Sequence, residues 1–325
     1  MKKIVYIGFI VVVLMTLVLG GCRNAASISR PRTNAKPYAV VTDDLRRTIT
    51  LYQKPKRVVV LTASLLTFCD VFQAPVVGRT TIRSTQVKVP RAYQQAVELG
   101  PVYQISMEKV ISLQPDLIIL GSRTQKKLIR PYEEKGIPVI ALQGKTLQDE
   151  KNALQVLGMV FGQSQQATQI CKQLDDDVAK IRMKIPKKKK KIAILHVTPS
   201  AVTVELPQSI AGNMAELLYA ENVAVQHEKK RGDVEKVPYS LEVLLEEDPD
   251  VILFTPMGSP EKIEKRLQQE LKGKAAWNHL RAVQRNKVYV LPEQYFLVSP
   301  GLAYGKAMAY MASLIYGVKE DEFYQ

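Results

Sequence analysis

The chain reads as an α/β protein made of two duplicated lobes joined by one long helix, and three observations predict this. First, two separated blocks repeat at a single offset of 134 residues. Arg57-Val58-Val59-Val60-Leu61 is echoed by Lys191-Ile192-Ala193-Ile194-Leu195. Ser106-Met107-Glu108 followed by VISLQPDLIIL is echoed by Ser240-Leu241-Glu242 followed by VLLEEDPDVILF. A constant offset over two blocks means two lobes built alike, and paired α/β lobes usually enclose something between them. Second, residues 117–120 and 251–254 are short apolar runs bounded by breakers, as expected of strands buried on both faces of a parallel sheet. Third, residues 163–185 contain neither Gly nor Pro and place Ile170, Leu174, Val178 and Ile181 along one helical stripe. A helix of that length can bridge two lobes, and a stiff single bridge favours a small closure over wide opening.

The elements follow in order. Residues 1–21 read as a lipoprotein signal peptide: Lys2 and Lys3 precede an apolar run over 4–19 that ends in Leu19-Gly20-Gly21-Cys22. The run is short for a membrane span, and small residues precede the cut. Lipidation of Cys22 at this lipobox would hold the mature protein on the extracytoplasmic face of the cell membrane by acyl chains, a firm anchor where one chain is not. Residues 22–41 read as a tether. The N-lobe spans 42–162, with a hairpin at 42–51, strands near 58–61, 76–77, 117–120 and 138–141, and helices over 64–72, 106–113, 125–135 and 147–161. The bridging helix takes 163–185. The C-lobe spans 186–325, with strands over 191–197, 201–206, 251–254 and 287–291 and helices over 209–218, 240–247, 261–271 and 302–316. Alternating helices and strands make each lobe a Rossmann-like open sheet. Ser106 and Ser240 are helix N-caps, with Glu108 and Glu242 in the first turn, where a carboxylate complements the helix dipole.

Composition narrows the function. The 325 residues leave room for two cores, and 46 basic against 31 acidic residues give a net charge of +15. Outside the cell membrane such a charge suits anionic lipid, wall polymer or an anionic ligand, and nucleic acid is not expected as a partner. The lysine run over 187–191 is read as a solvated loop. Cys69 and Cys171 are read as buried structural thiols. No CxxC, HExxH, GxSxG or phosphate-cradling glycine loop occurs, and only three histidines are present, so an enzyme or a free-metal receptor is not expected.

With a lipobox, duplicated lobes and a helical bridge, the chain resembles the class III substrate-binding lipoproteins of iron, haem, siderophore and cobalamin importers. The resemblance covers about residues 43–317 and is carried by KPKRVVVLTASLLTF, SMEKVISLQPDLIIL, SIAGNMAELLYAENVA, YSLEVLLEEDPDVILF and WNHLRAVQRNKVYVLPEQYF, in that order. It implies the class III periplasmic-binding-protein fold and a monomeric receptor, not an enzyme, that serves an ABC permease dimer. One glutamate per lobe docks onto that permease in the family, and the matching positions are Glu108 and Glu242. PRAYQQAVELGPVYQISME, MGSPEKI and KVYVLPEQYF bring the chain nearest to the haem-binding lipoproteins of Gram-positive cells, which implies haem as cargo. A ferric siderophore or cobalamin is the alternative within the same family.

Those relatives commonly ligate haem iron with an N-lobe methionine and a C-lobe histidine, and the aligned positions here are Tyr103 and Met257. Phenolate is a ligand of ferric haem and thioether a softer one. Tyr103 is thus expected to ligate the iron while Met257 ligates weakly or packs on the porphyrin; otherwise both form an apolar wall. Ser64, Arg83, Arg91, His196 and Tyr295 complete the expected ligand-binding set, with Arg79, Lys88 and Phe296 as further candidates. Cations suit propionates or the acid groups of a siderophore, and aromatic rings suit a flat macrocycle.

Overall fold

The computed structural model describes residues 36–84, 86–223 and 234–323. The expected signal peptide, the lipidated Cys22, most of the tether and His227 lie outside the described residues. Residues 37–325 cluster as one unit. It opens with β1 (Ala39–Thr42), paired antiparallel to β2 (Thr48–Leu51). Residues 39–41 therefore belong to a hairpin and not to the tether, because Val41, Ile49 and Leu51 turn into the core.

The N-lobe continues through β3 (Val58–Val60), α1 (Leu66–Val71), β4 (Val76–Arg79), β5 (Val97–Glu98), α2 (Met107–Ser112), β6 (Leu117–Gly121), α3 (Ile129–Glu133), β7 (Val139–Leu142) and α4 (Leu147–Val160). Its sheet has the order β5-β4-β3-β6-β7 with every pairing parallel. The chain runs outward from β3 on one side and restarts at β6 on the other. The carboxyl ends of β3 and β6 thus flank a topological switch point, where open α/β sheets bind ligands.

The bridge is α5 (Ser164–Lys184), on the order of 30 Å long at the usual helical rise. Its buried stripe is Ala167, Cys171, Leu174, Val178 and Ile181. The C-lobe follows with β8 (Lys191–Val197), β9 (Val202–Glu205), α6 (Ile210–Leu217), β10 (Glu221–Asn222), β11 (Lys236–Pro238), α7 (Leu241–Glu247), β12 (Val251–Pro256), α8 (Pro260–Leu267), α9 (Arg281–Gln284), β13 (Val288–Val290), α10 (Glu293–Phe296) and α11 (Tyr304–Tyr316). Here the order is β11-β9-β8-β12-β13, and β10 also pairs with the start of β8. β9 is antiparallel to β8, and β11 to β9. The C-lobe sheet is therefore mixed where the N-lobe sheet is purely parallel.

The repeat extends to the hydrogen bonds. Val58 pairs with Leu117 and, 134 residues on, Ile192 pairs with Val251. The Asp116 amide donates to the Arg57 carbonyl at 3.0 Å, and the Asp250 amide donates to the Lys191 carbonyl at 2.8 Å. Each of these aspartates also accepts from the start of the neighbouring strand through its carboxylate, Asp116 from the Lys56 and Arg57 amides and Asp250 from the Lys191 amide. The helices before them end in left-handed residues at matching positions, Gln114 (φ 46°) and Asp248 (φ 41°). The Pro-Asp pair thus does more than stop a helix: its aspartate fixes the central strand pairing of each lobe.

One face of each sheet packs into a single core. Val58, Val60, Leu117 and Ile119 from one lobe and Ile192, Ile194, Val251 and Leu253 from the other share it with α4, α5 and α11. Alternate residues on the opposite faces build a separate core in each lobe, the period-2 signature of strands. Cys69 and Cys171 are buried free thiols.

Candidate ligand-binding site

A cavity of about 360 Å³ opens along the N-lobe sheet edge, within the usual size range of small-molecule sites. It is lined by residues 62–65 after β3, 80–84 after β4, 101–103 after β5, 121–124 at the end of β6 and 142–145 at the end of β7. All five parallel strands therefore deliver their carboxyl ends to one place. Glu293 and residues 297–299 of the C-lobe close its far side. Ser84 Oγ donates to Glu293 Oε2 and the Glu293 amide donates to Gln86 Oε1, both at 2.9 Å. The Ser299 amide points at Ser64 Oγ, 3.4 Å away.

Tyr103 stands on the cavity wall, 74% exposed. Its loop is fixed from behind. Gly100 adopts φ 107°, and a Cβ there would lie 2.3 Å from the Gln104 carbonyl oxygen, so only glycine fits that turn. Buried Gln125 accepts from the Gly121 amide at 2.9 Å and donates to the carbonyls of Leu61 at 2.9 Å and Val102 at 3.0 Å. One amide side chain thereby ties the ends of β3 and β6 to the Tyr103 loop, and the helix expected from residue 125 begins as a 3-10 turn over Lys126–Leu128 that runs into α3.

Beside Tyr103, Ser64 and Arg83 line the cavity; Met257, Arg91, Tyr295 and His196 do not. Met257 follows β12, its amide held by the Val197 carbonyl at 2.8 Å, and lies outside the lining. Arg91 is exposed on a turn beside Tyr93, away from the cavity. Tyr295 packs edge-on against Phe296 at the margin of the shared core. His196 is buried, with Nδ1 3.1 Å from Thr255 Oγ1. The Thr255 hydroxyl donates to Glu205 Oε1 at 2.5 Å; its oxygen is then left to accept, which puts the proton on His196 Nδ1. Arg79 is likewise committed, to the carbonyls of Tyr93 and Thr80 and the carboxylate of Glu98. Among the described residues, no three His, Cys, Asp or Glu side chains converge as a metal site.

Sequence reasoning passed over Arg123, Gln125, Lys145, Glu293 and Ser299. Position after a strand end was the available signal for the first three. Arg123 and Lys145 line the cavity and meet Glu235 of the C-lobe. Beneath the cavity floor lies Glu150 on α4, wholly buried, accepting a hydrogen bond from Ser299 Oγ, while its Oε2 has no hydrogen-bond partner. Burial pushes its pKa up to about 8, against the Ser299 hydrogen bond, which lowers it. Glu108 and Glu242 are both exposed in the first turns of α2 and α7. The Ser240 hydroxyl donates to Glu242 Oε2 at 2.8 Å.

The profile of the periplasmic binding protein family matches residues 58–295. The high-affinity heme uptake system protein IsdE of Staphylococcus aureus (strain Newman) is 29% identical over 266 residues, covering 81% of this chain and 88% of the relative. The crystal structure of S. aureus IsdE complexed with heme superposes with a TM-score of 0.70 at 28% identity, covering 80% of this chain and 98% of that one. An ABC transporter substrate-binding protein from Listeria monocytogenes EGD-e gives 0.71 at 25% identity, with 82% and 100% covered. S. aureus SirA complexed with staphyloferrin B shares the fold, with a TM-score of 0.72 at 17% identity over 87% of this chain and 99% of that one.

Proposed function

Because this chain belongs to the periplasmic binding protein family, whose members are substrate-binding proteins of ABC transporters and not enzymes, we propose that it is a membrane-tethered receptor that takes haem into the cavity between its two lobes and delivers it to an ABC permease. The observation that carries haem is Tyr103. Its phenol stands on the cavity wall and makes no hydrogen bond among the described residues, and phenolate is a protein ligand of ferric haem. The relationship to IsdE along most of both chains supports the same cargo. Met257 lies outside the cavity lining, so in this reading Tyr103 is the principal iron ligand. Capture needs no chemistry, only burial of a large planar ligand against preformed walls.

Titration of the purified protein with haemin tests the reading: a Soret band should grow to a one-to-one endpoint, and Tyr103→Ala should weaken binding about tenfold or more. A haemin spectrum unchanged by the wild-type protein sinks it. The cations Arg83, Arg123 and Lys145 on the cavity wall support a second reading, a ferric siderophore with carboxylate groups.

Delivery rests on Glu108 and Glu242, whose matched exposure on two alike lobes suits a permease of two alike subunits. Glu108→Ala with Glu242→Ala should slow uptake by cells while leaving haemin titration unaltered; unchanged uptake removes the docking role. Anchoring rests on Cys22, and Cys22→Ala should move the protein from the membrane fraction to the medium.

A further inference from the structure

Two cations on the N-lobe wall of the cavity share one carboxylate from the opposite lobe. Arg123 follows β6 and Lys145 follows β7, and both line the cavity. The Arg123 guanidinium lies 3.1 Å from Glu235 Oε1, and Lys145 Nζ lies 3.6 Å from Glu235 Oε2. Each oxygen of Glu235 therefore faces a different cation. Arg123 Nε is fixed from the side by Gln143 Oε1 at 3.0 Å, so the guanidinium is aimed before any ligand arrives.

Positive charge crowds this spot. Lys236 is the next residue after Glu235, at the start of β11, and its ammonium is held below the usual lysine range by burial and by the nearby Lys145, against the pull of Glu205 and Glu235. Glu235 itself sits just outside the cavity lining, at the edge strand of the C-lobe sheet. It reaches the cavity cations only through its carboxylate.

We propose that Glu235 is a built-in stand-in for a carboxylate of the cargo. An incoming carboxylate takes its place on Arg123 and Lys145, and Glu235 is released to solvent and Lys236. The exchange replaces an ion pair between the lobes with one between the N-lobe and the ligand, so neither cation is left without an anion at the end. The cleft then selects iron chelates that carry at least one carboxylate, whether an iron porphyrin with free propionates or a carboxylate siderophore. An uncharged ligand offers Arg123 and Lys145 no carboxylate in exchange for Glu235. This deepens the proposed function and rests on it for the choice of haem as first probe.

Haemin and its dimethyl ester, titrated separately into wild type, Glu235→Gln and the Arg123→Gln/Lys145→Gln double variant, test the exchange. Removing the internal competitor should tighten haemin about tenfold, and removing the cations should weaken it about tenfold or more, while the ester changes in neither. Thermal midpoints of the three proteins establish that each is folded. The proposal is overturned if Glu235→Gln leaves haemin affinity unchanged or lowers it, or if the double variant weakens haemin and ester alike. If wild type binds neither porphyrin, the haem reading fails by itself. Ferric citrate is then the probe: tightest in Glu235→Gln and weakest in the double variant supports the stand-in, and equal affinities or no binding overturn it.

Discussion

Glu150 and Glu205 are buried glutamates, one in each lobe, 0% and 2% exposed, and their surroundings push them in opposite directions. Burial raises the pKa of Glu150 to about 8, and its chief relief is one hydrogen bond from Ser299. Burial works the same way on Glu205, but His196, Lys236 and Thr255 outweigh it and hold that carboxyl below its ordinary value. Depth alone does not set protonation; the number and charge of the donors do. The difference tracks the two strand-end crevices. Thr62 and Gly121 line the N-lobe cavity. Their counterparts 134 residues on are His196 and Thr255, both buried; Thr255 donates to Glu205, and His196 Nδ1 bonds Thr255 and lies 3.5 Å from the same carboxylate. One lobe keeps its crevice open, and the other fills the equivalent space with its own side chains.

The largest effect should come from emptying the filled crevice. Glu205→Ala removes the carboxylate that His196, Thr255 and Lys236 converge on and should cost about 3–5 kcal/mol, read as a lower urea midpoint. A loss under about 1 kcal/mol would mean that the cluster is incidental. Glu205 also has an acid signature. Its folded pKa lies below the unfolded value of 4.5, so its stabilisation is present above that value and disappears as pH falls through the folded pKa. In Glu205→Gln this part of the acid destabilisation should be absent.

Glu150 should show the opposite sign. Its folded pKa of about 8 lies above the unfolded 4.5, so the folded state keeps a proton that the unfolded chain releases. Stability should therefore fall as pH rises from about 4.5 to about 8, by on the order of 2–4 kcal/mol. Glu150→Gln keeps a neutral group that can still accept from Ser299, and should flatten the dependence over that window. Parallel urea midpoints for the two proteins between pH 5 and 8 would show the carboxyl to be ionised throughout.

Much of this contrast was legible in the sequence and part of it was not. The 134-residue echo carried its information locally. A serine cap and an acid in the first turn act within a few residues, so they appear in the structure where the pattern places them; the Pro-Asp pair ends its helix just as locally, but the reach of its aspartate to the next strand was not legible. The cavity side chains do not work that way. Arg123, Gln125 and Lys145 matter because five strand ends meet; each follows a strand end, but the local sequence does not reveal which strand ends converge. His196 was misplaced for the same reason. A histidine at a strand end resembles a cleft residue until its register partner Thr255 and the hairpin strand carrying Glu205 are known. That hairpin is also why the C-lobe departs from its twin, since β9 runs antiparallel where the N-lobe places a parallel strand.

Tyr103 and Val237 sharpen the comparison at intermediate size, because they occupy equivalent positions in the repeat with unlike surroundings. Tyr103 is on the cavity wall, whereas Val237 is buried in β11 between β9 and a small cluster with Leu206. Tyr103→Ala should lower haemin affinity and leave the urea midpoint within about 0.5 kcal/mol. Val237→Ala should do the reverse, costing about 1–2 kcal/mol of stability with haemin affinity intact. If both variants lose affinity equally, the C-lobe crevice takes part in binding and the contrast between the lobes is wrong.

The smallest effects should be the ones that the two lobes share. Ser106 Oγ accepts from the Lys109 amide at 3.4 Å, and Ser240 Oγ accepts from the Val243 amide at 3.2 Å. Both satisfy an amide that a helix start leaves without a partner. Ser106→Ala and Ser240→Ala should therefore each cost about 1 kcal/mol. Ser240 has one further task, since its hydroxyl also donates to Glu242 Oε2 and, after the Glu242 backbone, helps hold that carboxyl below its ordinary value. The duplicated cap should give equal losses of stability. The added hydrogen bond, on a fully exposed glutamate, should appear only as a rise in the Glu242 pKa in Ser240→Ala, measurable by NMR titration of the side-chain carboxyl. Unequal stability losses with no change in that titration would mean that the caps differ for a reason outside the repeat.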